Sequence, residues 1–317
     1  MNFTPSFLNK RSRVATVTIE EDAIRMVEVK STSPLHVVCA EERSLPSGVV
    51  TDGKIVDADT LVSILGEAVE EWKLSRKSVR FLAPDEYVII RKLSYPPDVR
   101  RDELKGHFFI EIGSTLYLPF EDPVFDVVPY AASTDTKEAI LIASKESILN
   151  TYEDAFEDVK MKPLVADIGP LALYRLAYSQ YTYSGEEHIL LLDVKNDNYT
   201  VSIFHQHFPL FMRPVEVNEP DESNFFSGAQ TSKMDSLLSE VSKLINFYRY
   251  NMNQGNEGIT HILLNGEMDN WEELLRQMEL RFEVHTSTVV REKIYLEDGK
   301  AIPIRFNRAL GLALKEV

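Results

Sequence analysis

Over residues 14–43 apolar and polar positions alternate in a way that predicts three strands. RVATVTIEEDAIRMVEVK reads as a strand, an acidic turn and a second strand, and LHVVCAEERSL continues as a third. The same order returns at residues 188–213, HILLLDVKNDNYTVSIFHQHFPLFMR. There Ile189 to Leu192 are an apolar run too short for an independent helix, Lys195 to Asn198 supply the turn, and Tyr199 to Phe204 alternate. Two β-meanders of one layout make a weak internal duplication.

Between the meanders the period changes. In LPSGVVTDGKIVDADTLVSILGEAVEEWK, Gly48 and Asp52-Gly53 punctuate a loop, Asp57 or Asp59 can cap a helix, and Leu61, Ile64, Leu65, Ala68 and Trp72 give it one apolar face. SVRFLAPDEYVIIRKLSYPP predicts two short strands broken at Pro84 and stopped by Pro96-Pro97, and RRDELKGHFFIEIGSTLYLPF a helix ending before Pro119. Strands at 124–129 and 138–143 follow, then a helix over SKESILNTYEDAFEDVK with Ser144 as its cap. This order makes a small α+β module, set at residues 78–161. A helix at 171–181 leads into the second meander. Beyond it come the amphipathic helix MDSLLSEVSKLINFYRYNM, the buried strand THILLNG, a helix with Asn270 and Glu273 as a capping box, the short strand FEVHT and a final helix in RFNRALGLALK.

Composition narrows the function classes. With 317 residues, 44% hydrophobic and 26% charged, the chain has room for two cores and the profile of a soluble protein. No apolar run approaches the roughly 18 residues that a membrane helix needs. The opening MNFTPSFLNKRSR lacks the continuous apolar segment and small-residue cleavage site of a signal peptide, so residues 1–13 read as a loose tail, with marginal membrane contact as the sharper alternative. A net charge of −16, from 34 basic and 50 acidic residues, disfavours nucleic acid; keeping the protein soluble accounts for it by itself, and a basic partner is the sharper reading. Cys39 is the only cysteine, which excludes an internal disulfide and a Cys-rich zinc site and fits the cytosol.

Candidate chemistry centres on the turn after Asp193. A carboxylate at a strand end can hold a hydrated Mg²⁺ while the next turn offers N–H groups to phosphate, provided a glycine lets the backbone approach; this turn has none. His205-Gln-His207 places two imidazoles on one side of an extended strand, a spacing metals use, but no third ligand is evident and a solvated hairpin tip is the simpler reading. Asp167, in VADIGP, can cap the helix after Pro170 or face a cleft between lobes. No nucleophile elbow, Walker loop or zinc-protease motif occurs.

LPSGVVTDGKIVDADTL, APDEYVIIRKLSYPP, LYLPF, VADIGPLAL, INFYRYN and RALGLALK, in this order, resemble the PilM family of type IV pilus assembly proteins, relatives of the bacterial actin-like protein FtsA. The resemblance runs from residue 14 to the C-terminus. It implies an α/β, actin-like (ribonuclease H-like) fold of two lobes, each built on a meander, with an inserted α+β subdomain. On that template residues 14–77, 162–187 and 303–317 form lobe 1, residues 78–161 the subdomain and residues 188–302 lobe 2. It further implies ATP between the lobes and a scaffold at the inner face of the cytoplasmic membrane, holding the cytoplasmic N-terminal peptide of a single-span partner, PilN, near the subdomain. Pro84, Arg91, Pro96, Pro119 and Phe120 stand at family-typical positions there and are carried over as partner contacts, although strand termination alone accounts for the prolines. Asp167 is carried to the cleft.

The nucleotide site departs from the family pattern. The first phosphate loop has an Asp followed two residues later by Gly, and Thr18 and Glu20 stand in those places. In the second loop Asp193 keeps the acid but Lys195 replaces the Gly, and the Gly-Gly pair near the adenosine end is Gly266-Glu267. A carboxylate about 4 Å from a phosphate oxygen repels it by about 4 kcal/mol at an effective dielectric of about 20. A micromolar site is worth only about 8 kcal/mol in all. The expectation is therefore a binding scaffold for pilus or pseudopilus assembly with a vestigial nucleotide site and no resident cofactor. A working Mg-ATP-dependent ATPase and a self-associating, filament-forming protein are the alternatives.

Overall fold

The computed structural model describes residues 14–130, 137–195, 198–216, 233–253, 255–268 and 270–316; the tail read at residues 1–13 lies outside them. The first meander forms as β1 (Ala15–Ile19), β2 (Ala23–Thr32) and β3 (Leu35–Ser44), antiparallel in sequence order. Every residue of β1 is buried, because it is the central strand of its sheet. A two-stranded ribbon of β4 (Val50–Thr51) and β5 (Lys54–Ile55) leads to α1 (Ala58–Glu71), whose N-terminus Asp57 caps by accepting the Thr60 N–H at 3.0 Å. Next, β6 (Ser78–Ala83) enters the sheet parallel to β1.

The module is then inserted: β7 (Val88–Tyr95), α2 (Leu104–Glu111), β8 (Pro123–Tyr130) and β9 (Lys137–Lys145), its three strands antiparallel in the order β7-β9-β8. The chain returns through α3 (Glu146–Asp158) to β10 (Lys162–Ile168), parallel to β6. Parallel neighbours need a crossover, and α3 supplies it. The expected subdomain of residues 78–161 is therefore too wide. Its β6 is a strand of lobe 1, and α3 belongs to the same core, with Phe156 5.4 Å from Phe81 and the Tyr152 hydroxyl donating to the Gly53 carbonyl at 3.0 Å. The module proper interrupts a single β6-α3-β10 unit.

Lobe 2 repeats the plan. After α4 (Gly169–Gln180), the meander β11 (Ile189–Lys195), β12 (Asn198–His205) and β13 (Phe208–Glu216) is followed by α5 (Lys233–Phe247), β14 (His261–Gly266), α6 (Trp271–Phe282) and β15 (His285–Thr288). The two sheets, β10-β6-β1-β2-β3 and β13-β12-β11-β14-β15, share one topology: a meander, then two parallel strands added beside its first strand. The duplication legible in the meanders extends to whole lobes.

Local expectations fail where a tertiary contact replaces a local cap. Ser144 is a β9 residue, and the start of α3 is held instead by Asp122, which accepts the Ser147 N–H at 2.9 Å. Asn270 is left-handed and caps nothing; Glu273 is engaged by Arg276 on the same helix at 2.6 and 2.8 Å. The α2 helix stops at Glu111, ahead of Gly113 at φ +83°, well before Pro119.

Between the sheets lie α4 and the C-terminal α7 (Asn307–Ala313), which bury Leu173, Leu176 and Leu310 against Val27 of lobe 1 and Leu191 of lobe 2. They approach so closely that a Cβ on Gly311 would sit 1.9 Å from the Ala172 carbonyl oxygen. The module also spans the lobes, since Tyr130 meets Phe208 of β13 edge-on at 5.5 Å. Because backbone cannot yield at Gly311, Gly311→Ala is expected to cost on the order of 1–3 kcal/mol in urea denaturation. Gly106→Ala, in open space on α2, is expected to be neutral or to stabilise by up to about 1 kcal/mol.

Candidate functional site: the cleft between the lobes

The cleft is closed by charge. Asp193, at the end of β11, is buried, and both of its oxygens are engaged: Oδ2 accepts from Arg308 Nε at 2.7 Å and Oδ1 from Asn265 Nδ2 at 2.7 Å. Asn265 in turn accepts from Asn307 at 2.7 Å. The Arg308 guanidinium, carried on α7, also pairs with Asp85. Asp85 lies in the short turn between β6 and β7, so one buried arginine links a carboxylate of lobe 1 to a carboxylate of lobe 2. The other Asp85 oxygen accepts the Gly169 N–H at 3.3 Å, placing its charge at the N-terminus of α4 where the helix dipole favours it. Burial alone pushes the Asp85 carboxyl up, but Arg308 outweighs it and holds the group below the usual carboxylate range.

On the lobe 1 side the β1–β2 hairpin is tight, with the Glu20 N–H donating to the Ala23 carbonyl at 3.0 Å. Thr18 and its cross-strand neighbour Arg25 are both buried, and Arg25 gathers Glu20 at 3.4 Å, Asp22, and Glu42 at 2.6 Å. The Thr18 hydroxyl and one Glu20 oxygen are buried with no hydrogen-bond partner among the described residues. Lys195 faces this acidic turn and draws the carboxyls of Asp22 and Asp85 toward their charged forms.

Gly266 has φ +114°, and a Cβ there would lie 2.1 Å from the Val194 carbonyl oxygen, so close strand approach by itself requires the glycine; Glu267 beside it is exposed. Asp167 does not cap the helix. It pairs with Arg175 at 2.7 Å and Lys315 at 3.3 Å, and the carboxylate at the start of α4 comes from Asp85 instead. The structure thus brings Asp193 together with Asp85 and Arg308, neither of which the motif comparison singled out. The signal was present: an arginine inside the otherwise apolar RALGLALK, and an acid immediately after the strand-breaking Pro84.

The residues carried over as partner contacts are scattered. Pro84 packs beside Gly53 at the base of the cleft. Arg91 is half-buried on β7, Pro96 and Pro119 are exposed in the loops flanking α2, and Phe120 leans on the module's own core. The module's larger exposed apolar side chains are Phe109 and Ile110 on α2 and Tyr117 after it, which are 72%, 76% and 69% exposed.

His205 and His207 do not share a side, because Gln206 and His207 leave the strand in the left-handed region. His207 bonds Tyr174 at 2.9 Å, whereas His205 stacks on His188 with ring centres 4.0 Å apart. His188 is buried, reaches Tyr248 and, at 3.1 Å, Glu257. Burial and His205 lower its pKa, against the opposing pull of Glu257.

Two outcomes follow from these groups. Arg308→Leu strands two buried carboxylates and is expected to cost about 3–5 kcal/mol in chemical denaturation. For His188 the folded pKa lies below the unfolded value of about 6.5, so its contribution is complete above that pH and declines as pH falls toward the lowered value. His188→Gln is expected to flatten the pH dependence of stability below about pH 6.5.

No curated protein matches the sequence. Among solved structures, a PilM-PilN type IV pilus biogenesis complex is similar with a TM-score of 0.69 and 18% identity, covering 95% of this chain and 98% of that one. A Bacteroides thetaiotaomicron protein with an actin-like ATPase fold gives a TM-score of 0.45 at 12% identity, covering 90% and 93%. The cytoplasmic domain of Epsl, an inner membrane component of the type II secretion system of Vibrio cholerae, gives 0.49 at 12% identity, covering 95% and 94%. The two-lobed plan is the actin-like fold. The profile of the family described as Type IV pilus assembly protein PilM matches residues 16–217, more than half of the chain, and the chain belongs to that family.

Proposed function

We propose that this protein acts in type IV pilus or pseudopilus assembly as a nucleotide-independent scaffold at the inner face of the cytoplasmic membrane, docking the cytoplasmic peptide of a PilN-like, single-span protein on its inserted module. The observation that carries the nucleotide-independent part is the commitment of Asp193: its charge is paired with Arg308 and both oxygens already accept hydrogen bonds, so a hydrated magnesium would have to displace a buried arginine. The remaining residues agree. Thr18 supplies no negative charge for a metal, Glu20 adds a carboxylate where phosphate would lie, and the second turn offers Lys195 in place of a glycine. ATP with Mg²⁺ does not fit this donor set, and no step is assigned to it.

Support for docking on the module comes from surface chemistry. Phe109 and Ile110 on α2 and Tyr117 in the loop after it expose large apolar side chains, in the same module as the exposed Pro96 and Pro119, and exposed apolar surface is of a kind that marks interaction sites. The net charge of −16 favours a basic peptide and speeds its encounter. Among the described residues no helix is long and apolar enough to cross a membrane, so a membrane-anchored partner supplies the attachment in this reading. The complex named for the similar structure pairs PilM with PilN, the partner class adopted here.

Calorimetry with Mg-ATP is expected to give no binding isotherm below about 1 mM; a micromolar isotherm overturns the nucleotide-independent reading. In fluorescence anisotropy, a labelled peptide of the partner's cytoplasmic N-terminus is expected to bind without nucleotide. Its affinity is expected to fall about tenfold or more in the double variant Phe109→Ser, Ile110→Ser. Equal affinity for the double variant and the unmodified protein overturns the assignment of this surface.

A further inference from the structure

We infer that Arg308 takes the place of a bound ligand as the tie between the lobes, holding the cleft closed as a built-in state of the chain. Asp85 from lobe 1 and Asp193 from lobe 2 are both almost wholly buried and both within bonding reach of one guanidinium, so without a cation between them they face each other as two buried anions. Closure therefore depends on positive charge at this point. Arginine suits it because its rigid fork presents N–H donors in several directions and does not lose its proton.

The position of Arg308 on the chain makes the tie permanent. The α7 helix is wedged against α4 by the approach at Gly311 and is anchored at its far end by Arg80, which donates to the Ala313 carbonyl at 3.2 Å. Asn307, immediately before Arg308, extends the network into β14 through Asn265. Outside this network, Glu42 on β3 accepts from Arg305 at 2.9 Å, which fastens the segment entering α7 to the lobe 1 sheet. Since Asp85 also opens the turn into β7, the same contact fixes the strand by which the module leaves lobe 1. The lobes and the module are thus aligned by a residue the protein carries itself.

The inference rests on reading the cleft as nucleotide-free, but its readout requires neither nucleotide nor partner. Nitroxide labels at E67C on α1 and E279C on α6, both exposed positions, report the distance between the lobes by pulsed electron spin resonance in a C39S background. With Arg308 intact, one narrow distance distribution is expected. R308Q is expected to add a second, longer population. D193N, which removes the charge pair across the cleft, keeps the buried Arg308–Asp85 pair and leaves no bare charge, is expected to do the same and decides the matter where R308Q does not fold. A single narrow distribution in D193N, or a broad one with the tie intact, overturns the inference. A micromolar Mg-ATP isotherm alongside a distribution that still depends on Asp193 sinks the nucleotide-free reading alone.

Discussion

The ion triad of Asp85, Arg308 and Asp193 is the constraint on which the arrangement of this protein depends. Such triads are poor sources of net stability, because removing three charged groups from water cancels most of what their attraction returns. What they contribute is geometry. An apolar plug in the same space would tolerate many lobe angles, whereas a guanidinium between two carboxylates satisfies its donors in very few. Everything nearby is consistent with one such arrangement: the helix pair at Gly311, the amide chain of Asn265 and Asn307, and the outer link from Glu42 to Arg305.

The charges in the cleft face one another. An anion-binding cleft offers backbone N–H groups, glycine turns and an acid free to hold metal. This one presents Glu20, Asp22 and Asp85 opposite Lys195 and Arg308, with the acid of the second turn already neutralised. Positive charge from the chain itself fills the space between the lobes. Exposed apolar surface lies elsewhere, on the module that interrupts the β6-α3-β10 unit.

The module's own construction explains how such an insertion is tolerated. One face of its sheet is covered by α2 and forms a separate small core around Leu104, Phe108, Phe125 and Leu141. The other joins the large core through Ile90, Ile140 and Tyr130, against β13. It therefore has a core of its own and still bears on both lobes, which leaves the outer residues of α2 available to carry apolar surface.

The sequence by itself determined the architecture. Alternation gave both meanders, the apolar runs gave the buried strands, and the ordered motifs gave the family, because these signals are local and repeat with fixed periods. Capping was read less well. Ser144, Asn270 and Asp167 each carry the right side chain at the right distance from a helix, but Asp122 and Asp85 do that work for α3 and α4 from remote positions in the chain. The module's limits also moved, since whether β6 pairs with β1 or with β7 is a question of sheet topology that no window of sequence contains. The same holds for the cleft. Thr18, Glu20 and Lys195 could be read as departures from a pattern, which tells what is missing. That Arg308 occupies the space depends on a helix from the last turns of the chain meeting a turn 223 residues earlier, and only the tertiary fold brings those charges together.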